Sequence, residues 1–292
     1  MLLGYVAGKR NQFTQCQAAG FNKLVLNYAL PLALFVSIAK STREELFSDV
    51  RTLLLSVVVL IGWYFIALVI AMKFFKHDKR EAGLAALSAS SPTAGFLGYA
   101  VLSPLFHGQA ALPIAIVALV VNAMQVPLAI FFIAPEGTKP SAALTNALKQ
   151  PVVLGPLVAV LLVVIGIRFP PIADPPLLLI GNTTSGIAVF AAGLVLSAHH
   201  FSVDREVVWN TFVKLLVVPA CMLGGAILLG IHGEKLEQLV LLATLPPAMS
   251  GIVIAGRYQV YVSLAASSLI VATFVFAVAA PVWIWFVRYV VH

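Results

Sequence analysis

The sequence predicts an all-α integral membrane protein of about ten transmembrane helices, built as two five-helix repeats that cross the bilayer in opposite senses. Three observations lead there. Hydrophobic residues make up 61% of the 292 positions and charged residues 10%, with a mean hydropathy of +1.02; a soluble domain carries roughly a quarter charged residues. Apolar runs recur at the roughly 20 residues that a bilayer-crossing helix needs. Two of these runs are interrupted by proline, and each is the fourth helix of its half.

Taken in order, the first element is a remnant, 1–8, too short to cross a bilayer. Its counterpart in the second half can just span, so roughly one to two dozen further residues are expected ahead of it. The remnant is also too short for a cleavable signal peptide. Spans follow at 21–39, 52–75, 82–106 and 110–133, completing a first repeat over 1–133. A polar stretch, 134–149, reads as a cytoplasmic linker. The second repeat, 150–292, holds spans at 151–167, 176–198, 207–231, 236–255 and 260–290. Charged segments at 40–51, 73–81, 199–206 and 232–238 and the turn Phe169-Pro170-Pro171 separate them. An odd number of helices per repeat makes the halves inverted.

Lys and Arg set the orientation. Loops after odd-numbered helices hold eleven of the eighteen basic residues, with a cluster at Lys73, Lys76, Lys79 and Arg80; loops after even-numbered helices and the C-terminal end hold six. The positive-inside rule then places the odd loops in the cytoplasm and both termini outside. The net charge of +7 reflects this topology rather than a nucleic-acid surface. The remaining one, Lys214, lies inside a span. About two turns into the eighth helix, it is expected to snorkel to the cytoplasmic interface, with a substrate counter-charge as the competing role.

The first break is Ser90-Ser91-Pro92-Thr93 and the second is Pro246-Pro247. Proline lacks the backbone donor and clashes with the carbonyl four residues back, so each run becomes two half-helices. In lipid, backbone freed this way is tolerated only where protein or a wet cavity satisfies it, and paired broken helices mark a transporter's binding site. A half-helix beginning there offers unpaired N–H groups and about half a positive charge, which suits a carboxylate. Ser90, Ser91 and Thr93 add hydroxyls at the first break, and Thr244 and Ser250 flank the second. A lone proline in a membrane helix more often makes only a kink; two at matched positions, both flanked by hydroxyls, favour a site.

Other polar residues in the spans are Asn22 and Asn27 on the second helix and, at the equivalent place on the seventh, Asn182-Thr183-Thr184-Ser185-Gly186. They either line a cavity or make interhelical hydrogen bonds, worth about 0.6 kcal/mol on average. Asn122 and Gln125 read as packing contacts. His107 and His199-His200 lie at span ends, where one of them could relay a proton. Cys16 and Cys221 lack any pairing pattern and read as buried or interfacial thiols.

Several classes are excluded by what the spans do not contain. All eleven carboxylates sit in loops or at span ends, so none stands at mid-membrane to hold sodium or carry a proton. There is no phosphate-binding loop for ATP and no HExxH, and no serine pairs with an intramembrane base at helical spacing. A protease or other enzyme is not expected, nor a cofactor. A channel would need a continuous polar stripe, whereas the polar groups gather at two points.

The stretch Phe21-Asn22-Lys23-Leu24-Val25-Leu26-Asn27-Tyr28-Ala29-Leu30-Pro31 resembles the second helix of the auxin efflux carrier family. Ser91-Pro92-Thr93-Ala94-Gly95-Phe96-Leu97-Gly98 resembles its fourth-helix motif, and Leu245 through Ile252 with Arg257-Tyr258 its ninth. The resemblance runs over essentially the whole chain. It implies a scaffold half, a transport half, and a site where the broken fourth and ninth helices cross. Bacterial members include malate and malonate transporters, and plant members export auxin. Thr93 stands where the family often has Asn, and Ala100 where it often has Pro, so the substrate is not carried over.

Together these readings anticipate a secondary carrier of small mono- or dicarboxylates in a bacterial inner membrane, working by alternating access. A gated anion channel, or a carrier of another small amphipathic acid, is the alternative. The residues expected to hold substrate are Ser91, Pro92, Thr93, Gly95, Asn182, Thr183, Pro246, Pro247 and Ser250, with Asn22, Asn27 and Lys214 in support. The expected partners are the carboxylate and the bilayer, with a homodimer as the assembly to look for and no nucleic acid.

Overall fold

The computed structural model describes residues 2–39, 49–106, 110–134, 151–167, 174–181, 183–198 and 203–291, with a few single positions between. Over these residues the chain is helical: α1 (Leu2–Lys9), α2 (15–39), α3 (Val50–Lys73), α4 (Lys79–Ser90), α5 (94–105), α6 (111–133), α7 (Pro151–Ile165), α8 (Asp174–Gly181), α9 (Thr183–Ala198), α10 (205–228), α11 (Glu234–Thr244), α12 (Met249–Tyr258) and α13 (Val262–Phe286, continuing as a wider turn to 291). Among the described residues, four helices are long and apolar enough to cross a membrane: Val50–Lys73, Leu112–Ile133, Arg205–Leu228 and Val262–Tyr289. At 1.5 Å per residue their 22 to 28 residues reach at least the thickness of a bilayer core. The chain is a multi-pass, all-α membrane protein.

Caps fix where the helices start. Asp49 accepts from the Thr52 N–H at 3.2 Å ahead of α3, and Asp78 accepts from the Glu81 N–H at 2.8 Å ahead of α4; each such cap is worth about 1 kcal/mol. The helix interiors carry wide turns with a mechanism of their own. The π-turns at 25–29, 121–125 and 213–217 each end two residues before a proline, at Pro31, Pro127 and Pro219. Widening the turn relieves the clash between the proline ring and the carbonyl four residues back. The carbonyl that Pro219 leaves without its helical donor, that of Leu215, accepts instead from Trp283 Nε1 at 2.8 Å.

The helices sort into two bundles. In one, α1, α2, α7, α8 and α9 pack together; in the other, α3, α4, α6, α10, α11 and α13. The first bundle is held at glycine contacts. Gly4 and Gly8 on α1 are spaced as a small-xxx-small pair; a Cβ on Gly4 would lie 2.1 Å from the Phe190 carbonyl oxygen, and one on Gly8 2.0 Å from Ser197 Oγ. The second bundle holds both proline breaks. Its half-helix α12 packs against α2 and α9 and forms most of the seam between the bundles.

Polar contacts gather at two ends of the second bundle. At one, His77 Nδ1 lies 2.7 Å from Glu81 Oε2 and His77 Nε2 lies 2.6 Å from Glu206 Oε2, while the Tyr261 hydroxyl donates to Glu206 Oε1 at 2.6 Å. Asn210 Nδ2 donates in turn to the Tyr261 oxygen at 2.9 Å. At the other, Lys235 pairs with Asp49, Arg288 donates to Glu237 at 2.8 Å, and Arg51 reaches the Leu229 carbonyl at 3.4 Å. The segments around residues 77, 206 and 261 thus share one end, and those around 49, 235 and 288 share another.

Candidate functional site

The two proline breaks meet. Pro92 and Pro247 face each other in an isolated antiparallel bridge. The Thr93 N–H donates to the Pro246 carbonyl at 3.0 Å, and the Ala248 N–H donates to the Ser91 carbonyl at 2.8 Å. In an antiparallel ladder the enclosed, non-hydrogen-bonded pair uses neither of its own N–H groups, so it is the register in which two prolines can stand opposite one another. Residues before proline are pushed out of the helical region. Accordingly Ser91 sits at φ −89°, ψ 120° and Leu245 at φ −52°, ψ 148°. The bridge has a local two-fold character: each break gives one N–H and takes one.

This pairing corrects one expectation. The N–H groups of the half-helices were anticipated as donors for an anion, but two of those at the breaks, of Thr93 and Ala248, are spent across the crossing. Ala94 N–H turns back to the Pro92 carbonyl at 2.9 Å, and Gly251 N–H to that of Ala248 at 3.0 Å. The amides of Gly95 and Phe96, and of Met249 and Ser250, remain as the first-turn donors of α5 and α12.

The hydroxyls divide in the same way. Thr93 Oγ1 donates across the crossing to the Pro246 carbonyl at 3.0 Å and also reaches that of Pro247. Ser90 Oγ donates to the Ala86 carbonyl at 2.7 Å and accepts from Gln125 Nε2 at 3.1 Å, while Thr244 Oγ1 donates to the Val240 carbonyl at 2.7 Å. Ser91 and Ser250 differ. Both are buried, at 0% and 6% exposure, and neither hydroxyl has a hydrogen-bond partner. A buried donor left unpaired costs about 1–3 kcal/mol, so these two hydroxyls, one from each break, are groups that a polar ligand at the crossing would satisfy.

Lys214 overturns the snorkelling expectation. Its side chain is 0% exposed, and its ammonium donates to the Ala243 carbonyl. Ala243 is four residues before Pro247, so this is the carbonyl that proline deprived of its helical donor. Lys214 reaches inward because an orphaned acceptor lies there.

Gln125 joins the Leu60 carbonyl, at 2.8 Å, to Ser90, and is interhelical packing as expected; Asn122 bonds within its own helix to the Ala118 carbonyl at 2.7 Å. Asn27, on the π-turn of α2, accepts from Arg257 Nη1 at 2.8 Å across the seam between the bundles. Thr183 is exposed and donates to the Ile180 carbonyl at 2.7 Å. Gly95 lies in the wide first turn of α5. Asn182, His107, His199 and His200, and the side chain of Asn22, lie outside the described residues. Cys16 and Cys221 are free thiols on the outer surface rather than in the core.

Two features escaped the sequence reading. Arg257, counted there as a loop residue, belongs to the last turn of α12, half-buried, its guanidinium 5.7 Å from the Tyr258 ring. Among the described residues no carboxylate pairs with it. The His77–Glu206–Tyr261 network was missed because its members are 129 and 55 residues apart; a glutamate beside an apolar run at 206 was the one hint available. A groove of about 370 Å³ between α10 and α13, lined by Leu216, Val275, Val282 and Trp283 among others, is apolar throughout and offers nothing to a carboxylate.

Helices broken by proline and stitched together inside a membrane bundle are an arrangement that comparison with known proteins can place. The profile of the family described as Membrane transport protein matches residues 1–284. The chain belongs to that family. Within it, the chain is 45% identical to the uncharacterized transporter YfdV of Escherichia coli K12 over 298 aligned residues, covering 99% of this chain and 95% of the relative. An uncharacterized transporter of Methanocaldococcus jannaschii is 25% identical over 98% of this chain and 94% of its own. A rice protein named "Probable auxin efflux carrier component 9" is 26% identical over 113 residues, 38% of this chain and 26% of its own. This member of the membrane transport protein family, related to auxin efflux carriers, is a transporter and not an enzyme.

Proposed function

We propose that the chain is a secondary carrier of small organic anions, mono- or dicarboxylates of the malonate or malate kind, held at the crossing of the two proline breaks. The observation that carries this reading is the pair of buried, unpartnered hydroxyls of Ser91 and Ser250, one from each break, beside the first-turn amides of α5 and α12. A carboxylate has two acceptor oxygens, and helix N-termini favour its charge. Arg257, at the seam and paired with no carboxylate among the described residues, gives an entering anion a first cation to meet.

The bundle of α1, α2, α7, α8 and α9 acts in this reading as scaffold, and the bundle holding the breaks as the part that rocks. The local two-fold at the Pro92–Pro247 bridge and the gathering of alternate loops at opposite ends support a ten-helix inverted repeat. The excess of Lys and Arg in the odd loops favours a cytoplasmic 134–149 linker, with both termini outside a bacterial inner membrane. Cysteines introduced in the linker and after Arg288, in a background lacking Cys16 and Cys221, test this. Only the second should react with an impermeant thiol reagent in intact cells; the reverse pattern sinks the orientation.

The deciding experiment is uptake of a panel of labelled carboxylates into proteoliposomes, with and without a pH gradient. A carrier gives saturable flux and counterflow of one carboxylate class. Flux without saturation or counterflow identifies a gated anion channel instead, and no flux of any carboxylate ends the proposal.

A further inference from the structure

Lys214 has a feature that substrate binding does not require. It is fully buried in the second bundle, on the wide turn 213–217 that packs against α4, α11 and α13, and its ammonium is directed to the backbone rather than to a side-chain anion. Among the described residues no carboxylate pairs with it. An isolated buried ammonium is expensive unless something compensates its charge. Here the compensation comes from the backbone. Both α4 and α11 end at the crossing with their C-termini, each worth about half a negative charge, and the Ala243 carbonyl lost its helical donor to Pro247.

In carriers with broken helices, unwound carbonyls and half-helix C-termini are the groups that coordinate a coupling cation. In this chain the negative ends are already served. We propose that the Lys214 ammonium is a tethered cation at the crossing, occupying the place a bound sodium ion would take, so that the site keeps its net positive field for an anion and the carrier runs without sodium or potassium. One oxygen that a free cation would use, the Ala243 carbonyl, lies at the ammonium, and the buried, unpartnered hydroxyl of Thr211 stands one turn earlier on the same helix. Removing the side chain would therefore turn a built-in cation into a vacant cation site.

The inference rests on the crossing being the seat of transport, but its test can be read without any substrate. Thermal unfolding of the purified protein in sodium, potassium or choline chloride should be the same for the wild type, and so should counterflow. Lys214→Ala should unfold at lower temperature and transport about tenfold or more slowly in choline, because the carbonyl ends are left uncompensated. Sodium, or propylammonium, which replaces most of the missing stem and its charge, should raise both. Lys214→Arg, which keeps the charge, should stay indifferent to the cation. A wild type stabilised by sodium over choline overturns the proposal, as does a Lys214→Ala protein equal to wild type in choline. Should Lys214→Ala prove too unstable to purify, sodium stabilisation of Lys214→Arg overturns it and indifference upholds it. These thermal outcomes stand whatever the uptake panel finds, so a failed carboxylate reading and a failed cation reading are separable.

Discussion

The two breaks are alike in backbone and unlike in side chains. At both, a helix stops at a proline, gives one N–H and one carbonyl to its partner, and restarts. Around the first break the support is neutral, from Ser90 and Gln125, while the Thr93 hydroxyl of that break reaches across to the carbonyls of the second. Around the second it is a buried ammonium, Lys214, together with Thr244. Proline accounts for the likeness, because its missing donor and its ring impose the same extended geometry wherever it stands. The difference shows that backbone symmetry does not oblige electrostatic symmetry. One half of the crossing can hold a fixed positive charge while the other holds only hydroxyl and amide dipoles.

The strongest way to break this comparison is to remove the shared part. Replacing Pro246 and Pro247 together by Ala should restore a continuous helix, withdraw the Pro246 carbonyl and the Ala248 N–H from the bridge, and lower counterflow by roughly a hundredfold or more, as misplacement of a positioned site does. Near-normal counterflow in that variant would mean the prolines only kink the helix.

Next in size is the stitch between the breaks. Thr93→Val keeps shape and loses the hydroxyl that reaches the Pro246 and Pro247 carbonyls. The Pro246 carbonyl keeps the Thr93 N–H, but that of Pro247 loses its donor; at about 1–3 kcal/mol for a buried acceptor left unpaired, transport should drop roughly tenfold to a hundredfold, and the melting temperature should fall with it. Thr93→Ser should recover most of both.

Ser91→Ala and Ser250→Ala sharpen the distinction between stitching and binding. Neither hydroxyl has a partner in the structure, so neither variant should lose stability. Each should raise the half-saturating carboxylate concentration by about tenfold, the value of a hydrogen bond to a charged group. A fall in melting temperature with unchanged half-saturation would make these serines structural.

The smallest effect lies at the end of the bundle, where His77 ties the start of α4 to the start of α10, the helices that carry the first break and Lys214. Burial alone pulls the His77 pKa down, but the hydrogen bonds and charges of Glu206 and Glu81 outweigh it and hold it above the usual value. A raised folded pKa means the contribution is fully present below the unfolded value of about 6.5 and is lost as pH rises through the folded one. The melting temperature of the wild type should therefore decline modestly as pH rises above neutrality, and His77→Gln should flatten that part of the profile. An identical slope in both proteins would remove His77 as its source.

How far the sequence reached differs between elements. The four long spans among the described residues were readable to within a few residues, because length and hydropathy are local properties set by the bilayer. Both breaks were readable because proline acts on its own helix. The destination of Lys214 was not readable, since snorkelling and inward pairing differ only in where the nearest unsatisfied acceptor lies, and Ala243 is 29 residues away.

By itself, then, the sequence determined a helical membrane protein with two proline breaks flanked by hydroxyls, because composition and proline chemistry act within one helix. Only the tertiary structure decided that Pro92 and Pro247 pair in a shared bridge, and that Thr93 is spent on the crossing while Ser91 and Ser250 are not. It also decided that Arg257 faces Asn27 across the seam and that Lys214 caps a carbonyl of the second break. Each of these depends on which orphaned donor meets which orphaned acceptor, and inside a bundle with no water to fill the gap that is decided by packing between helices.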